Sequence, residues 1–364
     1  MQSAGNTPTL EPATPTPRVR VDWVDYAKGI CIFFVVMFHV NDLAQEWTHR
    51  TGWLDEVVQF ARPFRMPDFF LIAGLFLASA MRRPWRRYLD SKVIHFFYFY
   101  VLWMTLQFAV MDAKHIVRGG DGVDALVLAY LRRWIDPVGA LWFIHMLPIF
   151  FVVTRLLRSV PPWIVWLGAA ALHSVWAADL VKTGWKVPDE FMSRYVFFYS
   201  GYVLAPHVFR IAAWARERVA ISAAYLACWG IVNGLLVAAG WALWPGVSLA
   251  LGYAGAAAVV IAAVLLARVE WTWPLRYLGQ NSIVVYLGDF GVSLIVIRGL
   301  ARGIGDVGTL GLVTTVMTII GTIVMWRLAL WTPARFMYVR PRWLGLDPDP
   351  PDRITAAARA ADRS

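Results

Sequence analysis

Two ionisable residues share one face of the first apolar segment, where charge is expensive. The stretch runs from Asp22 to Asp42 and holds Lys28 and His39 eleven residues apart. At about 100° per residue, eleven residues make three turns plus roughly 20°, so both side chains leave the same face. A rise of about 1.5 Å per residue puts them roughly 16 Å apart, half a hydrocarbon core of about 30 Å. Asp25 precedes Lys28 by three residues, close enough to pair with it on a helix. At membrane depth such groups must face the bundle interior or a wet cavity. Two readings of His39 follow. It is either a histidine hydrogen-bonded to another helix, or a neutral imidazole that takes a proton from a hydroxyl nucleophile.

Other residues raise the same choice. Asp289, in a later apolar segment, either makes an interhelical hydrogen bond or orients His39 or a substrate hydroxyl. Asp68 in the second segment is similar. His145 and His173 are either satisfied core histidines or cavity-lining groups, and Trp142 either packs or offers its ring face to a ligand. Arg194, beside Glu190, either binds a substrate or snorkels to the interface. The two cysteines, Cys31 and Cys228, both lie in apolar runs, so no disulfide framework is expected. No Cys/His cluster has zinc spacing, so no metal site is expected.

Composition says what must position these groups. Hydrophobic residues make up 59% of the chain and charged ones 16%, and mean hydropathy is +0.54. A soluble domain carries about a quarter charged residues. Twenty Trp and thirteen Tyr suit a protein with two membrane–water interfaces. The expected class is therefore all-α, a polytopic helical bundle in the lipid bilayer. Ten apolar segments can be read, near 27–44, 62–81, 93–111, 139–154, 161–178, 192–209, 219–240, 245–267, 280–298 and 308–330.

The net charge of +10 does not point to nucleic acid, because Arg and Lys gather in alternate loops. Arg18 and Arg20 precede the first segment; Arg82, Arg83, Arg86, Arg87 and Lys92 follow the second; Arg155 and Arg158 the fourth. Arg210, Arg216 and Arg218 follow the sixth, and Arg268 and Arg276 the eighth. The other loops hold mixed charges such as Glu46, Asp55, Asp121 and Asp189. The positive-inside rule then places both termini in the cytoplasm and requires an even helix number. Residues 1–20 read as a disordered tail, polar and rich in Pro and Thr, with no cleavable signal peptide. Residues 21–331 read as the membrane domain, and 332–364 as a Pro/Arg-rich cytoplasmic tail. No internal repeat is evident.

The segment VDWVDYAKGICIFFVVMFH resembles the opening helix of the membrane-bound acyltransferase-3 family, whose hallmark is Arg or Lys, ten residues, then His. Lys28 and His39 fit that spacing. Further segments resemble the family's in the same order: MPDFFLIAGLFL (66–77), LWFIHML (141–147), FFYSGYVL (197–204) and LGQNSIVVYL (278–287). The resemblance covers roughly residues 20–330. It departs at the family's Arg-Xaa-Xaa-Arg motif, where this chain has Lys92 and His95. It departs again after Tyr286-Leu287, where many relatives have a His and this chain has Gly288-Asp289.

This resemblance implies a multi-pass protein of the inner membrane that moves an acyl group from cytoplasmic acyl-CoA to a hydroxyl of a sugar or cell-surface glycan. Acetyl-CoA would be a co-substrate, with no tightly bound cofactor. His39 would act as general base, with Asp25 and Asp289 as further catalytic candidates. Lys28, Arg86, Arg87, Lys92 and His95 would hold the acyl-CoA phosphates. Trp142, His145, Asn281, Ser282 and Tyr286 would bind the acceptor or the oxyanion. Two other classes fit the composition: a transporter of a small molecule or glycan, and a non-catalytic scaffold of the same fold. The acceptor, the acyl chain length and the oligomeric state are not legible in the sequence.

Overall fold

The computed structural model describes residues 21–112, 116, 122–137 and 139–346. The expected tail at 1–20, the last part of the C-terminal tail at 347–364 and the loop residue Asp121 lie outside the described residues. All regular structure among the described residues is helical. In chain order the helices are α1 (Asp22–Thr48), α2 (Leu54–Ala61), α3 (Arg65–Gly74), α4 (Leu77–Met81), α5 (Trp85–Leu89) and α6 (His95–Gln107). They continue with α7 (Val123–Ile135), α8 (Trp142–Leu156), α9 (Pro162–Ala177), α10 (Lys186–Val203), α11 (Ala205–Glu217) and α12 (Val219–Ala238). The last four are α13 (Val247–Leu266), α14 (Trp273–Gln280), α15 (Ser282–Leu300) and α16 (Val307–Leu330).

Every expected apolar segment is helical, but the count of ten is not reached by length and composition. Seven helices qualify as membrane spans, or eight if α10 and α11, bent by 73°, form one broken span. Proline explains part of the difference. Pro63 cannot donate a backbone hydrogen bond and separates α3 from α2, while the second segment itself breaks at Leu75–Phe76 into α3 and α4. Pro161 and Pro162 start α9 late, leaving it 16 residues long. Pro206 follows the bend at Leu204, where a residue near proline is biased away from helix.

The first helix is the hub. It packs against α3, α13, α14, α15 and α16, and its buried residues include Ala27, Ile32, Val36 and Val40. Asp22 and Asp25 in its first turn complement the helix dipole. It ends at His49, which adopts a left-handed conformation (φ 52°). Glycine brings its neighbour close: a Cβ on Gly279 would overlap the Asp25 carbonyl, and one on Gly29 the Leu275 carbonyl. Small residues serve this purpose where helices lack a hydrophobic drive to associate. Gly74 and Gly201 do the same between α3 and α10. By contrast, α12 buries only Ser222 and Asn233, as suits a lipid-facing helix.

Residues after α16 are not merely peripheral. The segment 333–346 folds back onto α6 and onto Asp90, just past the end of α5. Tyr98 donates its hydroxyl to the Phe336 carbonyl at 2.7 Å, and Trp103 its indole N–H to the Met337 carbonyl at 3.0 Å. Tyr338 is buried against Trp103. Between α5 and α6 lies a π-helical turn, Asp90–Ile94, which carries Lys92.

Candidate active site

Helix α1 carries His39 and helix α15 carries Asp289, and the structure joins them. His39 Nδ1–H donates to Asp289 Oδ2 at 2.7 Å. Asp289 is 1% exposed, and its Oδ1 accepts from the Phe290 backbone N–H at 2.7 Å. Both carboxylate oxygens are thus engaged. A carboxylate in its ionised form only accepts, and opposite such a group a neutral imidazole carries its proton on Nδ1 and its lone pair on Nε2. The carboxylate fixes both the tautomer and the ring plane, as the third member of a hydrolase triad does.

His39 lines a small pocket with Val35 of α1, Met66 and Phe69 of α3, Ala140, Trp142 and Phe143 around the start of α8, and Tyr286 of α15. Helical spacing assembles it. Val35 and His39 are one turn apart, as are Met66 and Phe69, and Tyr286 and Asp289. Tyr286 donates its hydroxyl to the Ala140 carbonyl, which ties α15 to the turn before α8. The walls are largely apolar, with a basic nitrogen and an aromatic plane among them, as in many small-molecule sites.

Of the other candidates, some fall elsewhere. Asp25 lies fourteen residues before His39, about 21 Å along α1, and accepts from Gln280 Nε2 at 3.3 Å. Lys28 is partly buried at that same end of α1. Asn281 donates to the Tyr277 carbonyl at 2.9 Å. It and Ser282 sit about 12 Å from Asp289 along α15, level with Asp25 and away from the imidazole. Two contacts, Asp25 with Gln280 and His39 with Asp289, show that α1 and the α14–α15 arm run parallel.

His145 does not line the pocket; its Nε2–H donates to the Trp134 carbonyl at 3.2 Å, and its ring packs 4.5 Å from Tyr100. His173 is satisfied within the core by the Ser193 carbonyl at 2.8 Å and Ser248 Oγ at 3.0 Å. Arg86 and Arg87 are exposed on α5. Lys92 places its ammonium over the Phe151 ring at 4.6 Å, and His95 lies edge-on to Phe99 at 5.2 Å. Asp68 is 1% exposed, and neither of its oxygens has a hydrogen-bond partner among the described residues.

Three buried ionic features escape a reading of the sequence. Arg155, 3% exposed, donates to the Met81 carbonyl at 3.2 Å and the Arg83 carbonyl at 2.6 Å and lies over Tyr88, capping the end of α4. Arg340 is bound to Asp90. Arg65, in the FRMPDFF run that otherwise holds only Asp68 as a charged residue, is 8% exposed. An arginine in such a run is the one signal that could have flagged it.

The profile of the acyltransferase-3 family, described as an acyltransferase domain, matches residues 21–329. The chain belongs to that family. It is also similar to the inner membrane protein YcfT of Escherichia coli K12, with 28% identity over 155 residues. That match covers 37% of this chain and 43% of YcfT, so it spans less than half of either protein. No solved structure matches. With its apolar helices, the chain is a multi-pass membrane protein, and the family supports a membrane acyltransferase.

Proposed function

We propose that this protein is an O-acyltransferase of the inner membrane, moving an acyl group from cytoplasmic acyl-CoA to a hydroxyl of a sugar or glycan. The observation that carries the reading is the His39–Asp289 pair at the wall of a pocket that also holds Trp142. Asp289 holds the Nδ1 proton, and Nε2 removes the proton of the acceptor hydroxyl. The oxygen attacks the thioester carbonyl, the C–S bond breaks, and the proton on His39 passes to the departing CoA thiolate. Trp142 offers a face for the sugar ring.

The donor enters from the cytoplasmic end. Lys28, Arg86, Arg87, Lys92 and His95 hold its phosphates there, and the roughly 16 Å from Lys28 to His39 is spanned by the pantetheine arm. Asn281 and Ser282, level with Lys28, contact that arm and not the oxyanion. Ten spans with both termini cytoplasmic fit this picture. The parallel course of α1 and α15, the first and ninth segments, supports it, since odd-numbered spans run in one direction. The two spans beyond the eight that qualify by length are the broken second segment and α9.

The test uses the full chain in lipid nanodiscs. Free CoA should appear only when an acceptor sugar is present, with the acyl mass found on the sugar. A His39→Ala protein that folds and keeps full transfer would overturn the assignment of the base.

A further inference from the structure

The side chain of Arg65 is buried, yet it makes no hydrogen bond or ion pair among the described residues. Its guanidinium lies 3.8 Å over the ring of Phe38, the residue next to His39, and its Nη1 is shielded from solvent without a partner. Asp68, one turn along α3, does not neutralise it, because both Asp68 oxygens are themselves without partners. The charges that reach Arg65 are those of Arg194, Asp42 and Arg62, two cations against one exposed carboxylate. Arg194 is paired with Glu190 at 3.3 Å. A buried cation left in this state is costly unless a ligand completes it.

Its place relative to the pocket is set by the helices. Arg65 is four residues before Phe69 on α3 and so on the same face, one turn beyond the pocket wall. Asp42 is three residues after His39 and four after Phe38 on α1, so it lies one turn from the ring that Arg65 covers and is exposed. The exposed ammonium of Lys186 adds a second cation 5.8 Å over the Trp142 ring, and no carboxylate among the described residues pairs with it.

We infer that this rim is a subsite for a carboxylate carried by the substrate, bound by Arg65 and attracted by Lys186. A planar guanidinium matches a carboxylate through two parallel N–H donors. One buried cation is neutralised by a monoanion, whereas a doubly charged phosphate would leave excess charge. The carboxylate belongs either to an acidic sugar in the acceptor or to a dicarboxylic acyl group on the donor. The inference rests on the acyl-transfer reading and specifies the substrate class of that same site.

The test pairs two acceptors with two donors on the full chain in nanodiscs. The acceptors are a glucuronic-acid-containing oligosaccharide and its carboxyl-reduced counterpart; the donors are acetyl-CoA and succinyl-CoA. The wild type should prefer the acid member of one pair, by about 10–100-fold in kcat/KM, the size of one charge-assisted hydrogen bond. A preference among acceptors assigns the carboxylate to the sugar; a preference among donors assigns it to the acyl group. Arg65→Gln should abolish that preference and Arg65→Lys should keep part of it. No preference in the wild type, or one that survives in Arg65→Gln, overturns the subsite.

A second arm needs no turnover. Glucuronate or succinate, and not glucose, should raise the unfolding temperature of the wild type but not of Arg65→Gln. If no donor–acceptor pair gives transfer, the acyltransferase reading fails. This arm then decides the subsite alone, and equal shifts in both proteins overturn it.

Discussion

Arg340 donates through Nη2 to the carboxylate of Asp90 at 2.8 Å and through Nη1 to the backbone carbonyl of the same residue at 2.9 Å. The Leu346 backbone N–H completes the arrangement at 2.7 Å from Asp90 Oδ1. Asp90 begins the π-helical turn that carries Lys92, so the chain that follows the last helix holds the turn from outside. Both side chains are at least nine-tenths buried.

Removing one partner of this pair leaves the other charged and buried. Arg340→Ala should therefore cost about 3–5 kcal/mol, read as a lower denaturant midpoint in detergent. The double variant Asp90→Asn/Arg340→Gln should cost less than the sum of its single changes, since neither charge is then stranded. Strict additivity would mean that the pair is not coupled.

The imidazole should matter more to rate than to fold. His39→Gln should lower acyl transfer by about 10²–10⁴-fold, the range for a lost general base, with an unfolding temperature near that of the wild type. Asp289→Asn should also reduce the rate, because an amide nitrogen facing Nδ1 favours the tautomer with its proton on Nε2. Equal rates for Asp289→Asn and the wild type would show that the carboxylate does not set the tautomer.

The contact between α1 and α14 should tolerate no side chain. Gly279→Ala drives a methyl into the Asp25 carbonyl, an overpacking expected to cost about 1–3 kcal/mol. Gly168→Ala on α9 is the matched control, since a Cβ there meets nothing within 4 Å. Thermal unfolding should separate the two clearly.

The capping residue of α16 gives a pH signature. Asp306 accepts from the Thr309 backbone N–H at 2.7 Å and the Trp53 indole N–H at 3.1 Å. The Thr309 hydrogen bonds hold its carboxyl below the usual range. A depressed folded value contributes stability that is complete above the unfolded pKa of about 4 and is lost as pH falls through the folded value. Asp306→Asn keeps an acceptor at the cap but cannot titrate, so its unfolding temperature should fall less than that of the wild type between pH 5 and pH 3. Identical acid slopes would contradict this.

Part of the pocket wall could be read in advance because helical geometry is local. The shared face of Lys28 and His39, and the suspicion attached to Asp289, each follow from residues within one segment. What could not be read depends on contacts between distant segments. Asn281 and Ser282 are only four or five residues from Tyr286, yet that turn or so of helix carries both toward the Lys28 end and away from the imidazole. His145 shares a helix with Trp142 but is turned to the Trp134 carbonyl. The segment 333–346 is polar enough to pass for a surface tail, and hydropathy cannot reveal that Tyr98, Trp103 and Asp90 are waiting for its backbone and Arg340.

The His39–Asp289 hydrogen bond also orders events during synthesis. Its partners are 250 residues apart, so at roughly 5–20 residues per second His39 leaves the ribosome about 10–50 s before its carboxylate. Throughout that interval the first helix must sit in the bilayer with an imidazole that nothing yet orients. The pair therefore forms only when the penultimate helix docks beside the first.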